Sequence, residues 1–183
     1  LLAAASPVLA QGAKSSAELQ LAKQAEALKA GEWVWAPQIA PQGPVLVYVD
    51  LTRQRATVYR NGVRIGVSTI SSGKDGYETP TGVFTILEKD KDHRSSIYGD
   101  YKDSKGRTVR SGISARIDSA PSGTRFVGAP MKWFMRSTWE GVGMHVGILP
   151  GYPASHGCIR MPEPAAAQFF SRVKLGTPVR VDP

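Results

Sequence analysis

Cysteine is almost missing from this chain: Cys158 is the only one in 183 residues, so no internal disulfide can form. Long apolar runs are also missing. Beyond the first ten residues nothing approaches the roughly 20 apolar residues that cross a bilayer, which argues against a transmembrane span. Lys and Arg together outnumber Asp and Glu by 23 to 15, but no run of five or six basic residues occurs and no stacking series of aromatics lies among them. That pattern excludes nucleic acid as the expected partner and favours another anionic one, such as a carboxylate-bearing polymer. Histidine is scarce, with only His93, His145 and His156, and there is no internal repeat.

What is present suits one domain: 42% hydrophobic residues over this length can bury a core without a staple. Residues 1–10, Leu-Leu-Ala-Ala-Ala-Ser-Pro-Val-Leu-Ala, read as the end of a signal-peptide h-region, with Val8 and Ala10 placed for cleavage before Gln11. Export to a periplasm or cell wall is the expectation. Residues 11–44 read as an N-terminal helix and linker. Ser15 and Glu18 make a capping box, Ala17, Leu21, Ala25 and Leu28 line one face, and Gly31 ends the helix. The Pro-, Gly- and Trp-rich stretch 33–44 has no periodicity and reads as a surface linker.

The compact domain is expected over 45–183. Strands are predicted at 45–50, 55–60, 63–70 and 83–88, with Asn61-Gly62 as a hairpin turn. Residues 71–82 form a loop rich in Gly and Pro, beside a substrate groove. The polar stretch 93–124 reads as an irregular insertion acting as a lid. Strands within 131–144, a Pro-started helix after Pro162 and a last strand at 179–181 complete the chain. The fold class is mostly β, a sandwich- or barrel-like mixed sheet with one or two short helices.

The chemistry concentrates around the thiol. A cysteine attacks a carbonyl as thiolate and needs a neighbour that takes its proton, a task suited to histidine. His145 ends a predicted strand one loop before Cys158, and His156 would share a face with Cys158 if the backbone were extended. Gly157 leaves room for substrate, and the N–H groups of Cys158 and Gly157 are candidates to bind an acyl-transfer oxyanion. Arg160 can hold a carboxylate or the thiolate, or form a surface salt bridge. Ser155 reads as a turn former.

These residues resemble the L,D-transpeptidase catalytic domain (YkuD-type) of bacterial cell-wall enzymes, which pairs an upstream histidine with Ser/Thr-His-Gly-Cys-x-Arg/Asn. Here that is His145 followed by Ser155-His156-Gly157-Cys158-Ile159-Arg160. The likeness runs from about Val45 to Val181 and includes the stretch from Tyr77 to Phe84. It implies that fold, with Cys158 as nucleophile and His145 as base and acid. His156, Gly157, Arg160, Ser155 and Tyr77 would shape the oxyanion and substrate pocket. Val146 stands where some relatives have a polar residue, so a backbone carbonyl, that of Gly147, is expected to orient His145.

The implied substrate is a peptidoglycan tetrapeptide stem. Its terminal D-alanine is released as a thioester forms, and an amine of a second stem or of a wall-anchored protein resolves that thioester. No cofactor or metal is implied, and nothing demands more than a monomer. The rivals are a carboxypeptidase or hydrolase using the same thioester, a zinc module ligated by His145, His156 and Cys158, and a non-catalytic wall-binding module. Papain-like peptidases place the cysteine before the histidine, and sortases lack the Ser-His-Gly before the cysteine.

Overall fold

The computed structural model describes residues 14–183, so the leader expected over 1–10 lies outside the described residues. The framework starts with three antiparallel strands, β2 (Val45–Asp50), β3 (Arg55–Arg60) and β4 (Val63–Thr69). Alternation sends Val47, Val49, Ala56, Val58 and Ile65 inward, where all are fully buried. Asn61 and Gly62 have φ of 52° and 75°, the left-handed pair that lets a two-residue turn follow the strand twist. The C-terminal strand β13 (Pro178–Asp182) lies parallel to β2, and β5 (Gly82–Thr85) pairs with its other edge.

At the opposite edge the stretch expected as a linker contains a strand, β1 (Trp33–Trp35), paired with β4 and completing a six-stranded sheet. Three residues are too few to display a period, so only the partner strand reveals it. Gly66 makes the pairing possible: a Cβ there would lie 1.9 Å from the Trp35 ring. The helix α1 (Ser16–Glu26) has the expected capping box, with Glu18 N–H on Ser15 Oγ at 3.3 Å and Ser15 N–H on Glu18 Oε2 at 2.8 Å. It ends earlier than the pattern suggested and buries only Leu21 and Ala25 of the apolar face.

A second sheet runs β12 (Ile159–Met161), β11 (Gly143–Val146), β10 (Phe134–Arg136) and β6 (Glu88–Asp90). The strand expected over 83–88 is therefore broken. The chain changes sheets at Ile86 and Leu87, whose N–H groups donate to Thr177 O and Arg136 O. One apolar core joins the inner face of the first sheet to Met135, Met144, Ile159 and Met161 of the second. Ala165, Ala166 and Phe169 of α2 (Glu163–Arg172) complete it. Pro162 and Pro164 start α2, as their fixed φ and missing N–H favour at a first turn.

Residues 93–124, read as irregular, instead supply two strands of a third sheet: β7 (Arg94–Lys102) between β8 (Thr108–Ser114) and β9 (Arg125–Pro130). β8 is largely exposed, while β7 and β9 are mostly half-buried, and none of the three carries a sustained apolar alternation that would announce it. Close backbone approach holds them: side chains at Gly99 and Gly128 would meet Val127 O and Ser95 O at 2.2 and 1.9 Å. Among the described residues the architecture is mostly β, in mixed sheets with two α-helices. No described helix is long and apolar enough to cross a membrane.

Candidate active site

The parallel pairing of β11 and β12 sets the site, because it puts His145 opposite Arg160 and Met144 opposite Ile159. Register partners share a face, so Met144 and Ile159 go to the core while His145 and Arg160 face the other way. Continuing the alternation one residue back from β12 places Cys158 on the His145 side, diagonally across the ladder. In this structure the thiol donates to Gly141 O at 3.6 Å, and the Gly143 N–H reaches the sulfur. The His145 imidazole is not the thiol's hydrogen-bond partner, a common arrangement before substrate tightens such a site.

His145 is held from behind. Its Nδ1–H donates to the carbonyl of Val146 at 2.8 Å, one residue earlier than the Gly147 carbonyl expected from sequence. A carbonyl can only accept, so Nδ1 carries the proton and Nε2 keeps its lone pair. Gly147 serves otherwise: a Cβ there would press on Cγ of Arg160 at 2.6 Å and on its Cδ at 2.8 Å. Gly147→Ala is therefore expected to displace the Arg160 side chain, raising KM for an anionic substrate severalfold. The thermal midpoint should fall as well, because the Arg160 Cβ, fixed by its strand backbone, would lie 2.9 Å away and cannot swing clear. Kinetics and a melting curve on one preparation check this.

The loop before Cys158 is tied down by buried hydroxyls. Ser155 Oγ donates to Cys158 O and accepts from Gly157 N–H at 3.1 Å, so that N–H is already used and only the Cys158 N–H is open to an oxyanion. Thr79 Oγ1, also buried, donates to Gly157 O at 2.8 Å and accepts from Gly73 N–H at 2.9 Å. One hydroxyl thus joins the 71–82 loop to the cysteine loop. Thr79→Val keeps the shape and leaves both backbone groups unpaired, at a cost of about 2 kcal/mol. A lower denaturant midpoint with unchanged m-value and a reduced turnover are the expected result.

Gly157 has φ of +111°, which breaks the extended backbone that would have turned His156 towards Cys158. His156 instead stacks on Tyr98 of β7 at 4.5 Å and meets the edge of Tyr77 at 4.7 Å. These three rings form a rim where the third sheet touches the cysteine loop. Lys74 Nζ lies 5.3 Å from the Tyr77 ring.

Burial pushes the Cys158 thiol up, opposed by the Gly143 N–H and the positive charges of Arg136 and Arg160. Burial lowers His145 to about 4, with Arg160 and His93 adding to the effect against the Val146 hydrogen bond. His156 is lowered by burial, Lys74 and Arg160. Sequence reading missed Arg136, Thr79 and the Gly141–Gly143 backbone. The Gly-Val-Gly just before Met144 was the available signal, since paired glycines mark close backbone approach.

Arg160 forms no salt bridge among the described residues, so its guanidinium is free for a ligand. The zinc reading fails on geometry: His156 is turned onto the tyrosines and away from the thiol. The metal-capable group among the described residues is Glu88, Asp90 and His93. It is internally satisfied, with Arg136 on Glu88 at 2.6 Å and His93 on Asp90 at 3.1 Å.

The sequence model of the YkuD family, the L,D-transpeptidase catalytic domain, matches residues 44–181. The chain belongs to this family of cell-wall enzymes, which acts on peptidoglycan. An L,D-transpeptidase from Mycobacterium smegmatis is similar at 28% identity and TM-score 0.56, covering 76% of this chain and 59% of that one. L,D-transpeptidase 3 from Mycobacterium tuberculosis, solved with a faropenem-derived adduct, is similar at 26% identity and TM-score 0.55, over 76% of this chain and 60% of that one. The L,D-transpeptidase from Stackebrandtia nassauensis shares the fold at 19% identity and TM-score 0.57, over 90% of this chain and 65% of that one. The chain thus spans about three fifths of the first of these relatives. No curated protein matches it in sequence.

Proposed function

We propose that this chain is an exported cysteine acyltransferase that works through a thioester at Cys158 on peptidoglycan tetrapeptide stems. The reading is supported by the β11–β12 register, which pairs His145 with Arg160 just past Cys158, and by the His145 Nδ1 hydrogen bond to Val146 O, which leaves Nε2 as base. Sγ adds to the carbonyl of the third, L-centred stem residue as Nε2 takes the thiol proton. The oxyanion is received by the Cys158 N–H, and Arg160 with Lys74 attracts the stem carboxylates. On collapse the C–N bond breaks, His145 returns the proton to the departing D-alanine nitrogen, and the thioester remains.

An amine acceptor, on a second stem or a wall-anchored protein, then attacks the thioester. Water at the same step would make the chain a carboxypeptidase. Incubation of the folded chain with a carbapenem is expected to add one drug mass to Cys158, read by intact-protein and peptide mass spectrometry. An unmodified mass would sink the proposal.

A further inference from the structure

Three of the four tryptophans are half-buried, whereas Trp139 is 79% exposed at the tip of the β10–β11 turn. The exposure is built in. Ser137 and Thr138 N–H both donate to Val142 O at 2.8 and 3.1 Å, and Gly141 N–H donates to Thr138 O at 3.2 Å. Val142 N–H returns to Thr138 Oγ1 at 3.2 Å, and Gly141 has φ of +100°. Ser137 and Thr138 are buried, so the turn is anchored at its base and presents only Trp139 and Glu140.

The return limb of this turn is the thiol's own support, since Gly141 O accepts from Sγ. Two residues of chain put the Trp139 Cα within about 7.6 Å of that of Gly141. The charge around the thiol is uneven. Arg136 is taken up by Glu88 at 2.6 Å, which leaves Arg160 as the positive charge near Cys158 with no ion pair among the described residues, and Lys74 stands at the Tyr77 rim. Glu140 is exposed and forms no ion pair among the described residues.

We propose that Trp139 and Glu140 dock the ammonium of the amine acceptor. This rests on the acyl-transfer reading above and names the residues that choose amine over water. An indole face is the best aromatic partner for a cation, and an adjacent carboxylate adds the opposite charge. Stem carboxylates are drawn to Arg160 and Lys74 and the acceptor's cation to Trp139 and Glu140, so the two substrates have charged partners of opposite sign. The ammonium gives one proton to solvent as the amine leaves the docking pair. Its nitrogen then attacks the thioester carbonyl, a C–N bond forms and the C–S bond breaks. The second proton passes to His145 Nε2 and from there to the released thiolate.

The test uses the full chain, a tetrapeptide donor and a second stem peptide with a free side-chain ammonium as acceptor. Mass spectrometry reads the ratio of transfer to hydrolysis product over a range of acceptor concentrations. Trp139→Ala and Glu140→Gln are each expected to raise the acceptor KM three- to tenfold, about the range of one such contact. The ratio should fall accordingly below saturation, and Trp139→Phe should keep most of it. Wild-type ratios in both variants at every concentration would overturn the docking site, as would a deficit that persists at saturating acceptor. A wild-type chain that releases D-alanine but never transfers to the amine overturns it while leaving the thioester reading intact. Failure to release D-alanine at all removes both, and is seen before acceptor is added.

Discussion

Cys158→Ala is expected to reduce donor turnover by on the order of 10⁶ and to abolish the carbapenem adduct, since covalent chemistry needs its nucleophile. The fold should survive. The sulfur donates one long hydrogen bond to Gly141 O and receives the Gly143 N–H, and alanine removes little buried volume, so a stability loss of about 1 kcal/mol is the expectation. Cys158→Ser sharpens the argument. The hydroxyl nearly preserves size, but it is a far weaker acid than a thiol, and a base held at about 4 is poor at removing its proton. Serine should therefore be almost as inactive as alanine. A packing role for Cys158 predicts the reverse, with serine close to wild type. Donor turnover of both variants against their melting midpoints decides, and an alanine variant with more than a few per cent of wild-type rate would end the assignment.

How much of this was legible depends on what each element uses to hold itself. The β2–β3–β4 meander was readable because Val47, Val49, Val58 and Ile65 alternate and Asn61-Gly62 requires a left-handed turn. The α1 cap was readable because its capping box is local. The order His145, Cys158, Arg160 was readable because chemistry restricts the residue types. What stayed hidden was everything fixed by distant backbone. β7, β8 and β9 carry no sustained apolar alternation and rely on glycine clearances at 99 and 128. Thr79 looks like any loop threonine until Gly73 and Gly157 meet its hydroxyl. The orienting carbonyl fell on Val146 instead of Gly147, and His156 turned away, because a single φ at Gly157 and the twist at a strand end are not written in residue type.

The acid limb of the pH profile follows from His145. The residue is 8% exposed, and burial favours the neutral form so strongly that protonation is delayed to about pH 4, well below the ordinary imidazole value near 6.5. The base-competent neutral ring is thus fully present above about pH 5. As pH falls, kcat/KM for a stem donor should hold its plateau through 6.5 and drop only as pH passes about 4. At pH 5.5 an ordinary imidazole would be only about one tenth neutral, so tenfold separates the two expectations. Because burial also raises the Cys158 thiol, the resting pair is thiol and imidazole, both neutral. Proton transfer must then accompany C–S bond formation and not precede it, and a solvent isotope effect on acylation is the expected sign. Stability carries the same signature. The unfolded chain binds the proton near 6.5 and the folded one only near 4, so the contribution of a neutral His145 is intact above 6.5. It is lost as pH falls towards 4, by about 3 kcal/mol in all. Removing the titratable ring in His145→Gln should flatten that part of the melting-midpoint profile while abolishing turnover. A kinetic limb at 6.5, with acid stability identical in the two proteins, would show that His145 is neither the buried ring nor the base described here.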